Sequence, residues 1–520
     1  MSWEEEVEQI RLRKEKALQL GGEDRVKRHK AQGKLTIRER IDGLLDRGSF
    51  LEVGQLTGDA VWEQGKFVDI TPAPYVMGLG KVNGRWVAVG GEDFTVRGGS
   101  SAGLARRKGG QGGFVEDMAA EYRIPLVNLI DGVGANVSSA IKSKFKRLPA
   151  KDGYERALEL LGIVPVVCAV LGSTAGGPAG RAVLAHFSVM VRGTSQLFAA
   201  GPPVVARALS RNVDKEELGG AHIACDKAGT VFNAADSEEE ALEQVRRYLS
   251  YLPQNVWHMP PYVDTGDPPD RVEDELIRVV PRNRMHPYDM HKVIDLVFDK
   301  ETFFEIQPTY GIGMIVGFAR LGGYPVGVIA NNPRHNAGAP DARDSRKMGH
   351  FTSVCDQFHI PLIHLVDVPG FMIGVEAESM GTLKDGMAAM CKVMQARVPR
   401  ISVIVRKCYG MAGALNYANH RLHYRIAWPS AEFGSIPIEG GVAAAYRREI
   451  EQSPDPDKRR REIEEEIHSL ESPFRTAEKF AVEDIIDPRE TRYRLFCLVE
   501  AAQNYLQTEL GQKPRYGAWP

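Results

Sequence analysis

Short, strongly apolar runs alternate with helical patterns along most of the chain. VNLID at 127–131 and VPVVCAVLG at 164–172 read as buried strands, and GYERALELLG between them reads as a helix. IHLVD at 363–367, GTLKDGMAAMCKVMQA at 381–396 and RISVIV at 400–405 repeat that order. Such alternation predicts an α/β fold with largely parallel strands buried on both faces. The first 45 residues, rich in Glu, Lys and Arg, predict a surface helix packed on the first domain. Residues 447–470 predict a solvated helix pair, because acids balance the bases.

The repeated order reflects a repeated sequence. Asp46, Phe50 and Glu52 recur 253 positions later as Asp299, Phe303 and Glu305. Gly78, Gly84 and Val87 recur 239 later as Gly317, Gly323 and Val326, and Ile124, Pro125 and Asp131 recur 236 later as Ile360, Pro361 and Asp367. A slowly drifting offset is what loop deletions leave between two copies of one domain. The proline-rich stretch 252–276 lies between the copies, which predicts domains 1–260 and 261–520.

Length and composition narrow the function. A chain of 520 residues, 43% hydrophobic, supports two cores. Lys plus Arg at 66 against Asp plus Glu at 68 gives a net charge of −2, which leaves no overall field for nucleic acid. The six cysteines are scattered, without a Cys-x-x-Cys pair, so neither a zinc site nor a disulfide framework is expected. MSWEEEVEQI is not a signal peptide and no run reaches a membrane span, so the expected location is cytoplasmic.

The chemistry is carried by two turns of small residues. At an offset of 235, VCAVLGSTAGGPAGRAV lies over SVIVRKCYGMAGALNYA, which places Gly176 and Gly177 over Met411 and Ala412. Each copy reads strand, turn, helix. The first N–H groups of a helix lack intrahelical acceptors and lie at the positive end of its dipole, so such a turn can hold an oxyanion. Pro178, read at the first helical position, leaves Gly176 and Gly177 as donors. Two oxyanion holes suit carboxyl transfer from a urea-like carrier to a thioester α-carbon, in which both a carrier oxygen and a thioester oxygen become negative. The departing carrier can take the α-proton itself.

GGEDRVKRHKAQGKLTIRERIDGLLDRGSFLEVG, EDFTVRGGS, SVCDQFHIPLIHLVDVPGF, VPRISVIVRKCYG and EDIIDPRETRYRL resemble the carboxyltransferase (beta) subunits of biotin-dependent acyl-CoA carboxylases of propionyl-CoA carboxylase type. The resemblance spans nearly the whole chain. It implies two duplicated crotonase-like (ββα spiral) domains, the N-terminal one on the acyl-CoA side and the C-terminal one on the biotin side, in a homo-hexamer. Partner subunits are then biotin carboxylase and a biotin carboxyl carrier, since no Ala-Met-Lys-Met acceptor sequence occurs in this chain. Gly176 and Gly177 would steady the thioester oxyanion, and Met411 and Ala412 the biotin oxyanion. Gly410, Gly413 and Ala414 on the biotin side, and Gly134 and Ala135 on the acyl-CoA side, are the expected contacts around them. The turn Gly132 to Val137 and the stretch Pro178 to Val183 depart from the family pattern, so they bear on which acyl group is used.

Other signals are weaker. Arg106, Arg107 and Lys108 beside Gly109 and Gly110 are candidates for the phosphates of coenzyme A, with a bare basic loop as the alternative. Gly99-Ser100-Ser101-Ala102-Gly103 fits the G-x-S-x-G pattern of a serine hydrolase in a loop-like context. His286, His291, His420 and His423 lack the spacing of a metal site. The reverse transfer, in a decarboxylase complex, and a purely binding role are the remaining alternatives.

Overall fold

The computed structural model describes residues 2–100, 113–134, 154–416, 422–469 and 472–513. The chain divides into two compact units, Met1–His258 and Met259–Pro520. In the first, seven strands lie in the order Leu51–Glu52, Tyr75–Val82, Arg85–Glu92, Leu126–Ile130, Val166–Val170, Phe187–Val191 and Asn233–Ala235. In the second the order is Phe304–Ile306, Met314–Leu321, Tyr324–Asn331, Leu362–Val368, Arg400–Tyr409, Tyr424–Ala427 and Asp484–Ile485. Both sheets begin with three antiparallel strands and continue in parallel. Every residue of Leu126–Ile130 and of Leu362–Val368 is buried, which is why those runs are mostly apolar without alternation.

The antiparallel start explains the recurring residues. Each hairpin turns through two residues of positive φ, Asn83 and Gly84 in one unit and Gly322 and Gly323 in the other, as the tight two-residue turn requires. Asp46 accepts hydrogen bonds from the Asn83 and Gly84 N–H groups at 3.1 and 2.7 Å. Asp299 does the same for Gly322 and Gly323 at 2.9 and 2.8 Å. A Cβ on Gly78 would stand 2.2 Å from the Leu51 carbonyl oxygen, and one on Gly317 2.4 Å from that of Phe304. Close approach of the first two strands therefore needs glycine in both copies.

Two expectations are corrected. The N-terminal segment forms three helices, Glu4–Leu18, Glu23–Lys30 and Ile37–Leu44, not one on the surface. The third is buried through Ile37, Ile41 and Leu44, and it carries Arg40 into the interior, where Asp131 at 3.0 Å and Glu238 at 2.7 Å balance its charge. A charged residue at helical spacing is thus not always a solvated one. The second correction is the alignment of the copies. In the parallel ladders Leu126 pairs with Val166 and Leu362 with Arg400, so Val166 corresponds to Arg400, 234 positions on. The extensions Ser173–Ala175 and Lys407–Tyr409 keep the same 234. Gly176 therefore corresponds to Gly410, Gly177 to Met411 and Pro178 to Ala412. Counting small residues along the sequence misplaced the turn by one; strand pairing fixes it. The charged stretch near the end forms the helices Arg447–Gln452 and Pro456–His468, mostly exposed, as expected.

Candidate active site

In the first unit, the strand Val166–Val170 leads through Ser173–Ala175 to Gly176 and the helix Gly177–Val183. Gly176 has φ 68° and ψ −129°, a conformation that side-chain-bearing residues avoid, and it caps the helix. Gly180 N–H closes the first intrahelical bond to the Gly176 carbonyl at 3.0 Å, so the donors before it have no acceptor in the helix. Pro178 stands second in the helix, behind Gly177, and both glycines are exposed. Gly134 packs against this turn: a Cβ there would lie 3.2 Å from the Ala175 carbonyl oxygen and 3.5 Å from the Gly177 nitrogen. The Ser100 hydroxyl donates to the Gly134 carbonyl at 3.3 Å and ties that loop down. Ser100 follows a single helical turn at Arg97–Gly99 instead of a strand, unlike a nucleophile elbow.

Behind the helix lies a buried charged group. Arg181 forms an ion pair with Glu92 and sits 5.9 Å from the centre of the Tyr75 ring. Burial pushes the Glu116 carboxyl up to about 7, with Arg181 acting in the opposite direction. Glu92 reaches the site loop as well, since a Cβ on Gly132 would lie 2.8 Å from its Cγ. Burial also raises the Cys168 thiol to about 12, so it is not a nucleophile at neutral pH.

In the second unit, the strand Arg400–Tyr409 runs directly into the helix Gly410–Leu415. Gly410 turns with φ 59°. Met411 is 53% exposed, whereas Ala412 is 1% exposed, its methyl packed among Val366, Val368, Ile404 and Cys408. A cavity of about 670 Å³ opens at the turn and is lined by Gly410, Met411, Ala414, Phe433, Ser435 and Val482, among others. Gly413 is needed for packing: a Cβ there would stand 3.1 Å from the Cys408 sulfur. The strand-end carboxylates are satisfied differently in the two copies. Asp367 accepts from Arg406 and from Lys407 N–H on the next strand at 3.0 and 3.1 Å, whereas Asp131 takes Arg40 and Lys34 from the N-terminal segment.

Arg106, Arg107, Lys108, Ala135, His420 and the Ser101 to Gly103 part of the hydrolase-like motif lie outside the described residues. Another basic surface is described in the first unit. A cavity of about 390 Å³ is lined by Arg25, Arg28, His29, Phe94, Arg97 and Gly98, among others, and a Cβ on Gly98 would lie 3.6 Å from Val133 of the site loop. Sequence reading missed it because Arg25 and Arg97 are far apart along the chain. His291 bonds Glu305 at 2.9 Å, and no metal-binding cluster occurs among the described residues.

Residues 28–515 match the carboxyl transferase domain family. The chain is 39% identical over 502 residues to the propionyl-CoA carboxylase carboxyltransferase subunit of Haloferax mediterranei, covering 96% of each. It is 35% identical over 496 residues to the mitochondrial propionyl-CoA carboxylase beta chain of Sus scrofa, covering 94% of this chain and 89% of the relative. The solved structure of transcarboxylase 12S, a hexamer holding methylmalonyl-coenzyme A and methylmalonic acid, aligns with a TM-score of 0.88 at 30% identity, over 100% of this chain and 99% of that one. The two sheets and their duplicated order agree with that crotonase-type carboxyltransferase fold.

Proposed function

The chain belongs to the carboxyl transferase domain family, and we propose that it is the carboxyltransferase subunit of a biotin-dependent acyl-CoA carboxylase, moving a carboxyl group from carboxybiotin to the α-carbon of an acyl-CoA. The observation that carries the mechanism is the matched pair of turns at Gly176 and Gly410, each of positive φ and each opening a helix. Backbone N–H groups aimed at a developing oxyanion need no reorganisation during reaction, which is where such catalysis gains. Gly176 and Gly177 take the thioester oxygen, and Met411 and Ala412 the oxygen on the biotin side.

Biotin supplies a carboxylated urea nitrogen, carried on a separate subunit. The cavity of about 670 Å³ at the Gly410 turn, walled by Met411, Phe433 and Val482, fits a small ring with an apolar tail. On the other side, the arginines of the Arg25, Arg28 and Arg97 cavity supply cations for coenzyme A phosphates. A carrier that accepts the α-proton leaves no role for a side-chain base, in keeping with the thiols that burial holds protonated.

Hexamer assembly and a biotin carboxylase with its carrier subunit are part of the same proposal, by likeness to the transcarboxylase core and the carboxylase relatives. A cytoplasmic location is also part of it and is checked by cell fractionation; no described helix is long and apolar enough to cross a membrane. The test offers a panel of acyl-CoAs with carboxybiotin, and malonyl-type CoAs with free biotin, and follows labelled carboxyl. Transfer in the first arm supports the proposal, predominant transfer in the second assigns the reverse direction, and coenzyme A binding without transfer leaves a binding role.

A further inference from the structure

A buried polar network stands directly behind the second turn. Asn416 ends the Gly410–Leu415 helix, and its Nδ2 donates to the Ala412 carbonyl at 2.9 Å. That orientation turns the Asn416 Oδ1 toward His364, whose Nδ1 lies 3.3 Å away and must carry the proton to donate. The Ser402 hydroxyl donates to the Asn416 carbonyl at 2.8 Å, so His423 Nε2, 2.8 Å from the same hydroxyl, is the donor to it. His364, Ser402 and Asn416 are buried to 2% exposure or less, and His423 is 9% exposed. Burial lowers His364 to about 3, so it stays neutral at any working pH. Three polar side chains, from two strands and a loop, thus back the helix end: His364 bonds the Asn416 side-chain amide, Ser402 bonds its backbone carbonyl, and His423 holds the Ser402 hydroxyl.

Polar groups in a core cost desolvation that apolar residues avoid, and His364 Nε2 is buried without a hydrogen-bond partner among the described residues, so a network of this kind fixes geometry more than it adds stability. The first copy shows how little the fold demands. At the corresponding positions it has Asn128, Cys168, Ala182 and His186, and its helix end is held by a thiol, Cys168 to the Arg181 carbonyl at 3.4 Å. There, His186 accepts from Val166 N–H and reaches the Leu161 carbonyl, both at 3.0 Å.

We propose that Asn416 is a positioning residue for carboxyl transfer: through the Ala412 carbonyl it holds the first turn of the helix, whose Met411 and Ala412 N–H groups are the proposed donors, with His364 fixing its side-chain amide and Ser402, backed by His423, fixing its backbone carbonyl. This rests on the functional reading above. Small misplacements of a reacting group lower turnover strongly, to about a hundredfold for 1 Å.

The experiment uses the full chain, with free biotin as acceptor and methylmalonyl-CoA as donor, and separates kcat from KM. Asn416→Leu and Ser402→Ala are expected to lower kcat about tenfold or more with KM for the CoA ester and assembly unchanged. Ser402→Thr, which keeps the hydroxyl, should restore most of it, and Ser402→Cys, which imports the first copy's thiol, should fall between. Asn416→Asp supplies a signature that a packing role lacks. Ionised, it repels the Ala412 carbonyl; protonated, it donates to it, so its activity relative to the parent should rise as pH falls from 8 to 6. If Asn416→Leu does not assemble, the Ser402→Ala and Ser402→Thr pair decides. A parent chain that moves no carboxyl overturns the functional reading and this inference with it. An active parent whose assembled variants keep its kcat, or lose kcat and CoA-ester binding together without recovery in acid, overturns the inference alone.

Discussion

Gly176 and Gly410 are the same residue of a duplicated turn, each following a three-residue parallel pairing and each with positive φ, 68° and 59°. A Cβ on Gly410 would meet the Ser435 carbonyl oxygen at 3.1 Å, while one on Gly176 would meet, among the described residues, the Gly134 Cα at 3.7 Å. Gly176→Ala is therefore expected to cost about 1 to 3 kcal/mol from backbone strain alone, and Gly410→Ala more, because crowding adds to it. Denaturant titration of the two variants checks the order; equal stability with the parent would show that the positive φ is not required.

Ala412→Pro deletes one donor. Its counterpart in the first copy is already Pro178, in the first turn of a helix, where the ring is tolerated. Loss of an oxyanion donor lowers turnover about a hundred- to a thousandfold. The control that keeps the donor is Ala412→Gly and not Ala412→Ser, because the Ala412 methyl lies in a buried apolar cluster, where an added hydroxyl would be desolvated. A correctly assembled Ala412→Pro chain with unaltered turnover would move the assignment to Met411 and Gly410.

Gly134→Ala probes the other turn. The added methyl lies 3.5 Å from the Gly177 nitrogen and 3.2 Å from the Ala175 carbonyl oxygen, so it crowds the place where a thioester oxygen would sit. Exchange of the acyl α-hydrogen with solvent deuterium should slow while the melting temperature changes little. Unchanged exchange would remove Gly134 from the site.

Glu116 sets a pH dependence of stability. Its folded-state value, about 7, lies above the ordinary 4.5, so the unfolded chain releases this proton first as pH rises. Its contribution to stability is full below about 4.5 and is lost between there and 7, on the order of 3 kcal/mol. Glu116→Gln should flatten that fall and be the more stable protein at pH 8. Parallel stability curves for the two proteins would place the titration elsewhere.

Arg25→Ala and Arg28→Ala should each weaken coenzyme A binding, and more strongly at low ionic strength, because they line the basic cavity beside the site loop. Calorimetric titration with coenzyme A and with a pantetheine thioester separates the cases. Equal weakening of both ligands would argue against phosphate recognition there.

The sequence by itself determined the duplication, the α/β class and the two strand-turn-helix segments, because each leaves local marks. Asp46 and Asp299 recur since the same hairpin needs the same acceptor, and VNLID and IHLVD are mostly apolar, without alternation, because both faces of those strands are covered. Tertiary structure alone decided which residues correspond across the copies, since ladder pairing, and not residue count, sets Gly176 against Gly410. It also decided that Arg40 is buried, that Glu116 shares a core with Arg181, and that His364, Ser402, Asn416 and His423 meet. A polar residue inside an apolar run, such as His364 in IHLVD or Ser402 in ISVIV, was the only signal in the chain. Its partners lie up to 59 residues apart in sequence, and only the packing of strands under a helix brings such groups within hydrogen-bond reach.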